Sequence, residues 1–300
     1  MSSSKKTKLE VLWDMETGDP DDFFTLLFLL GHPLVHLKAV TITPGTPEQV
    51  GLVRKALSWF ERDIPVGAFS LQHQKSCVST WYSEIYGSIT PSQEATPAYQ
   101  VLLENLTSET TLITGAPLKN LGALIQYTQQ HKIPFFLPRL VVQGGFAGEG
   151  IVPRPLEKFK GRRTCPSYNL NGDPHSALLA LKCQQIALRR FVSKNVCHGV
   201  FYDKTLHEAV GAIKSKSLSL SLIWKGMEAY LKKHPEGKKF HDPLAACCAI
   251  DESIGTWVEV ELFREKGEWG AKKASGTNTW IIIEYSHKKF LQTFLAQDTV

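Results

Sequence analysis

From residue 9 to residue 68, short apolar runs of strand length alternate with longer runs whose apolar residues recur at helical spacing. That order leaves few folds open. "LEVLW" (9–13) reads as a buried strand, "FFTLLFLLG" as a helix closed by Gly31 and stopped by Pro33, and "VHLKAVTIT" (35–43) as a strand cut off by "PGTP". "EQVGLVRKALSWFER" then has helical spacing and "IPVGAF" is the next strand. Strand, helix, strand, helix, strand implies a parallel sheet with helices on its faces.

The alternation resumes after a polar, less regular stretch at 70–98. "TTLITG" (110–115) is a strand, "APLKNLGALIQYTQQ" a helix, and "RLVVQGGFAG" (139–148) a buried strand running into glycines. A long loop, "EGIVPRPLEKFKGRRTCPSYNLNG", precedes the helix "DPHSALLALK" and the strand "QQIALRRF". Two helical segments cover 204–233, another opens at "HDPLAACCAID", and "TWVEVELF", "TWIIIEY" and a last helix close the chain. With no repeat or linker, the expectation is a tail at 1–8 and one α/β domain at 9–300, a mostly parallel open sheet flanked by helices. In such sheets ligands bind beyond the carboxyl ends of the strands. The loops "DMETGDPDD", "TPGTP", "TGAP", "GGFAGEG" and "SYNLNGD" all follow strands or sit beside them, so they are expected to share one rim.

The net charge of +5 comes partly from Lys5, Lys6 and Lys8 in the opening "MSSSKKTK", which reads as a frayed tail. No basic segment is interleaved with aromatics as single-strand binding requires, so a nucleic-acid polymer is not an expected partner. The start lacks the apolar core of a signal peptide, and the longest apolar run, "FFTLLFLL", is too short to span a bilayer. Six scattered cysteines with no CxxC pair read as free thiols in a reducing compartment, and a cytoplasmic protein with no membrane partner is expected.

Residues 14–22 hold five carboxylates, Asp14, Glu16, Asp19, Asp21 and Asp22, directly before the first helix. Helix capping accounts for Asp21 and Asp22, because carboxylates accept from free N–H groups at a helix start. Asp14 and Glu16 leave the end of a buried strand and are not explained that way. Carboxylates about 4 Å apart repel by about 1 kcal/mol in water and about 4 kcal/mol at an effective dielectric near 20, so a cation among them is favoured. Oxygen ligands without nearby His or Cys suit calcium or magnesium.

Five motifs in order resemble the inosine–uridine-preferring nucleoside hydrolases over most of the chain. They are "DMETGDPDD", "TGAPLKN" (114–120), "VVQGG" (141–145), "YNLNGDP" (168–174) and "HDPLAACCAI" from His241. The resemblance implies a Rossmann-like hydrolase of N-ribosides, a nucleoside as small-molecule substrate, a calcium cofactor and a homodimer or homotetramer. It implies calcium ligands at Glu16, Asp22, the Thr114 carbonyl and Asp242, with Glu16 also in the place of the general base. It places Asp14, Asp21 and Asn169 at the sugar and makes His241 the group that assists the departing base. Such chemistry suits carboxylates, which stabilise an oxocarbenium-like sugar cation, and a divalent ion that supplies a nucleophilic water at neutral pH.

Four positions depart from the family's pattern: Glu16 for its Asp, Thr46 for an Asn after the second strand, and Gly150 and Ser167 near the ribose 5′ position. Thr46 and Ser167 are carried as substrate-binding positions. Beside the last change stands "RPLEKFKGRR", so Arg162 and Arg163 are expected to meet a 5′-phosphate, which would extend the substrate class to nucleoside 5′-monophosphates. Trp81 and Tyr82 fit either a stacking platform for a base or a lid packed on the core. Two other functions remain open: a metal-dependent ribosyl-ligand binder without turnover, and a phosphatase of the haloacid-dehalogenase-like type, suggested by "DMET", with Asp14 as nucleophile.

Overall fold

Residues 8–73 and 75–296 are described by a computed structural model. In chain order the strands are β1 (Leu9–Met15), β2 (Val35–Ile42), β3 (Val66–Ala68), β4 (Thr96–Pro97), β5 (Thr111–Thr114), β6 (Leu137–Gln143), β7 (Ile186–Val192), β8 (Phe201–Tyr202), β9 (Lys238–Lys239), β10 (Gly255–Glu265), β11 (Glu268–Lys273) and β12 (Thr279–Tyr285). Ten of them form one sheet in the order β11-β10-β12-β7-β6-β5-β1-β2-β3-β4, and β8 pairs with β9 separately. Every pairing from β12 to β4 is parallel, while β10 runs antiparallel to both β12 and β11.

The helices are α1 (Pro20–Gly31), α2 (Pro47–Trp59), α3 (Thr80–Tyr86), α4 (Ala98–Asn105), α5 (Lys119–His131), α6 (Tyr168–Gly172), α7 (Pro174–Lys182), α8 (Lys194–Cys197), α9 (Lys204–Ile213), α10 (Leu218–Lys233), α11 (His241–Ile250) and α12 (His287–Phe294). Side-chain alternation along β1 divides the core. Val11, Trp13 and Met15 join one apolar cluster with α1, α10 and α11, whereas Leu12 joins the other with Leu118, Leu121 and Leu124. A helix apolar all round is a buried helix. Accordingly α1 buries every side chain from Asp21 to Leu30, packed on β2 and against α10 and α11. Burying each large apolar side chain there contributes about 1.5–3 kcal/mol.

The 70–98 stretch holds more structure than its polar composition suggests. Ser79 caps α3, whose Tyr82 and Tyr86 rings lie 5.4 and 5.5 Å from Phe23, with Trp81 6.0 Å from Phe24. This settles the choice at Trp81 and Tyr82: both pack onto α1. The β10–β11 hairpin turns through Lys266 and Gly267, both at positive φ (49° and 85°), where glycine is favoured. All six cysteines are free. Met1 to Thr7, with Lys5 and Lys6 of the expected tail, lie outside the described residues.

Candidate active site

The winding of the sheet reverses at β1. From there the chain steps outward through β2, β3 and β4, then returns to the other side of β1 with β5 and continues to β6 and β7. A reversal of this kind leaves a crevice at the carboxyl ends of the two inner strands. Glu16 is one residue past β1 and Gly115 one residue past β5. Both border a cavity of about 490 Å³ whose wall also carries Asp21, Asp22, Asn169, His241 and Asp242.

Two ends of the chain build the acidic wall. Asp22 Oδ1 accepts from the Glu16 N–H at 3.0 Å, folding the loop back onto the first turn of α1. Asp21 does cap a helix, but a distant one: its Oδ2 accepts from the His241 and Asp242 N–H groups, 3.0 and 3.3 Å away, at the start of α11. This brings carboxylate oxygens of Asp21, Asp22 and Asp242 within 4.8 Å of one another. Gly115 makes room for them, since a Cβ there would lie 2.8 Å from Asp242 Oδ1 and 2.6 Å from Trp13 Cη2.

Burial and mutual repulsion hold Glu16, Asp22 and Asp242 above their ordinary range. Desolvation first, then Asp19, Asp21 and Asp14, push Glu16 up to about 7. Asp22 and Asp242 are raised further, again by burial first and neighbouring carboxylates second. Lys238 is the only cation inside the cluster among the described ion pairs, with Nζ 2.8 Å from Asp19 Oδ1 and 3.3 Å from Asp21 Oδ1. Burial works against its charge, but Asp21 and Asp19 outweigh that and hold the ammonium above its usual value. Burial, with Lys238 beside it, holds His241 down at about 4.

The donor set fits a hard cation. Asp242 Oδ1 and Asn169 Oδ1 are buried and have no hydrogen-bond partner among the described residues. Asn169 cannot rotate to satisfy itself, because its Nδ2 donates to the Gly115 carbonyl at 2.8 Å and to Gln143 Oε1 at 2.7 Å. Oxygen donors alone, several of them anionic, are what calcium or magnesium takes.

The positions expected from the sequence divide into two groups. Glu16, Asp21, Asp22, Ser167, Asn169, His241 and Asp242 meet at the cavity, where Ser167 Oγ accepts from the Gly145 N–H at 2.9 Å. Six other positions singled out in the sequence are not on that wall. Thr46 is buried as the cap of α2, its hydroxyl accepting from the Gln49 N–H while Gln49 returns the bond, so an Asn-like contact with sugar is not available to it. Arg162 is exposed, and Arg163 pairs with Glu265 at 3.3 Å and lies over the Phe263 ring, because their loop lies along the β10–β11 hairpin. Asp14 is wholly buried, accepting from Thr41 Oγ1 and Asn120 Nδ2 at 2.7 Å each. Thr114 has a buried side chain, and its successor Gly115 forms the cavity wall. Gly150 is exposed and outside that wall.

Residues 11–292 match the family model of the inosine-uridine preferring nucleoside hydrolases. The chain belongs to that family. Its members are N-glycosyl hydrolases, and the mostly parallel sheet is the nucleoside hydrolase fold. A protein of Aquifex aeolicus described only as uncharacterized is 26% identical over 287 residues, covering 92% of this chain and 94% of its own. Among solved structures, a plant nucleoside hydrolase superposes with a TM-score of 0.70 at 19% identity, over 95% of this chain and 97% of its own. A purine-preferring ribonucleoside hydrolase from Gardnerella vaginalis gives 0.65 at 17% identity, over 95% and 96%. No helix among the described residues is long and apolar enough to cross a membrane.

Within this nucleoside hydrolase, sequence reasoning missed Gln143, Tyr168, Lys194 and His198 on the cavity wall, and Lys238 in the acidic cluster. Two had a signal. "KKFHDP" sets Lys238 three residues before His241, and "CHG" sets His198 at the end of α8, the short helix that follows β7.

Proposed function

We propose that this cavity hydrolyses the N-glycosidic bond of a ribonucleoside with calcium held by Glu16, Asp22, Asp242 and the Thr114 carbonyl. The observation that carries the reading is the pair of unsatisfied buried oxygens, Asp242 Oδ1 and Asn169 Oδ1, on a wall where three carboxylates already converge. When bound, such an ion fixes sugar hydroxyls and lowers the pKa of its water.

The chain's own groups account for the rest. Asn169 Oδ1, fixed by the bonds its Nδ2 makes, accepts from a sugar hydroxyl. Asp21 accepts from another through Oδ1. Glu16, at the edge of the carboxylate cluster, takes the proton from the attacking water as general base. The surrounding carboxylates stabilise positive charge developing on the sugar. His241, uncharged at neutral pH, donates one N–H hydrogen bond to the departing base. Homodimers or homotetramers and a cytoplasmic location go with this reading; sedimentation velocity and cell fractionation test them.

The test is chromatographic detection of base release from purine and pyrimidine nucleosides, with calcium, with chelator, and in Asp22→Asn. Calcium-dependent release that Asp22→Asn abolishes is expected; release unaffected by chelator rejects the calcium role. A second reading, ribosyl-ligand binding without turnover, is favoured by Lys238, which competes for the Asp21 oxygen that would take a sugar hydroxyl. A ligand-induced melting shift without release selects it. The phosphatase reading loses its support, because Asp14 has no exposed surface from which to attack a phosphate.

A further inference from the structure

The cavity is electrically two-sided. Opposite in character to the acidic wall are Lys194, which lines the cavity, and Lys158, which meets the wall residue His198; neither has a carboxylate within ion-pair distance among the described residues. Other basic side chains of the same region are paired: Lys160 with Glu157, Arg154 with Glu284 and Arg163 with Glu265.

Lys194 lies on the cavity wall and its Nζ donates to the Pro166 carbonyl at 2.7 Å, next to Ser167. Lys158 Nζ is 2.8 Å from Nδ1 of His198, another wall residue. The Lys158 and Lys194 ammonium groups both lie over the Phe159 ring, 5.0 and 5.7 Å from its centre. The His198 ring is 4.8 Å from the His241 ring, so this basic side begins one imidazole away from the acidic one. Lys239 adds its field from β9: burial, His241 and the three lysines together hold His198 down at about 3. Cys197, His198 and His241 also approach within 4.8 Å, but three neighbouring ammonium groups oppose a cation there and favour an anion.

We propose that Lys158 and Lys194 form an anion subsite that receives a phosphoryl group at the 5′ position of the ribosyl ligand. The assignment rests on the ribosyl reading above. On the ribosyl reading the acidic wall takes the ring hydroxyls, so the phosphoryl group is assigned to the remaining polar wall, where Lys194 and Ser167 stand. Lysines act on phosphate as point charges, so convergence and lack of competing carboxylates matter more than a bidentate fork. Arg162, which is exposed, and Arg163, which is paired with Glu265, are not counted in the subsite.

Calorimetric titration with ribose 5-phosphate, ribose and inorganic phosphate tests it, using the calcium-loaded wild type, the double variant Lys158→Met/Lys194→Met, and Arg162→Glu. Ribose 5-phosphate is expected to bind about tenfold or more tighter than either ribose or phosphate. The double variant is expected to bring that advantage within about twofold, and Arg162→Glu to retain it. Lys194→Gln alone, expected to lower the advantage by severalfold, serves if the double variant does not fold. Equal affinity for ribose and its phosphate overturns the proposal. So does an advantage that survives in the lysine variants, or phosphate binding as tightly as ribose 5-phosphate, which would mark a free-anion site. Base release separates the two readings. Turnover of nucleosides with no phosphate preference rejects the subsite and leaves hydrolysis standing. Phosphate-dependent ribosyl binding without any release does the reverse.

Discussion

Asp21 gives one carboxylate oxygen to two backbone N–H groups of α11 and faces the Lys238 ammonium with the other. Lys238 is 6% and Asp21 3% exposed, so removing the lysine leaves a buried carboxylate without its counter-charge. Lys238→Met is expected to lower unfolding free energy by about 3–5 kcal/mol in chelator, measured by denaturant titration. The same change is expected to tighten calcium binding, because a competing positive charge has left the acidic cluster. Unchanged calcium affinity would show that Lys238 and the ion do not share the carboxylates.

At the level of elements, the site depends on two strand ends that nearly touch. Gly115→Ala at the end of β5 would press a methyl group against Asp242 and Trp13. A loss of about 1–3 kcal/mol is expected, with a larger proportional loss of calcium affinity, read by thermal melting with and without the ion. Thr46→Ala removes the α2 cap and is expected to cost about 0.5–2 kcal/mol while leaving KM for nucleoside unchanged. These two positions show what was legible in sequence. The strand-loop-helix order was enough to set "DMETGDPDD" and "TGAP" on one rim, because a parallel sheet puts all such loops at the same end. It could not separate "TPGTP" from them, since Thr46 turns inward for its capping box with Gln49, a matter of local hydrogen bonding. Lys238 stood three residues before His241 in the sequence, but its meaning lies in Asp19 and Asp21, which only the closed fold brings near. The basic loop misled because Arg154 and Arg163 have partners on the β10–β12 face that no spacing rule reveals.

For the whole molecule, the acidic cluster is expected to make stability depend on pH and, on the reading proposed above, on calcium as well. Asp14 and Glu16 are pushed to about 7, and Asp22 and Asp242 are raised too, so the folded chain keeps protons that the unfolded chain has released. Their contribution therefore falls as pH rises from about 4 through about 7. His241 and His198, held to about 4 and 3, act in the opposite direction: their contribution is present above about 6.5 and is lost as pH falls below it. Calcium engages only ionised carboxylates, so the rise in melting temperature that it produces is expected to grow between pH 5 and pH 8. A rise independent of pH would contradict the carboxylate ligand set. Asp21 and its backbone partner at His241 are 220 positions apart in the chain. A ribosome making this protein thus releases the first acids long before the lysine and the last aspartate that complete their surroundings. The nascent chain cannot assemble such a pocket until the start of α11 has followed α1 out of the ribosome.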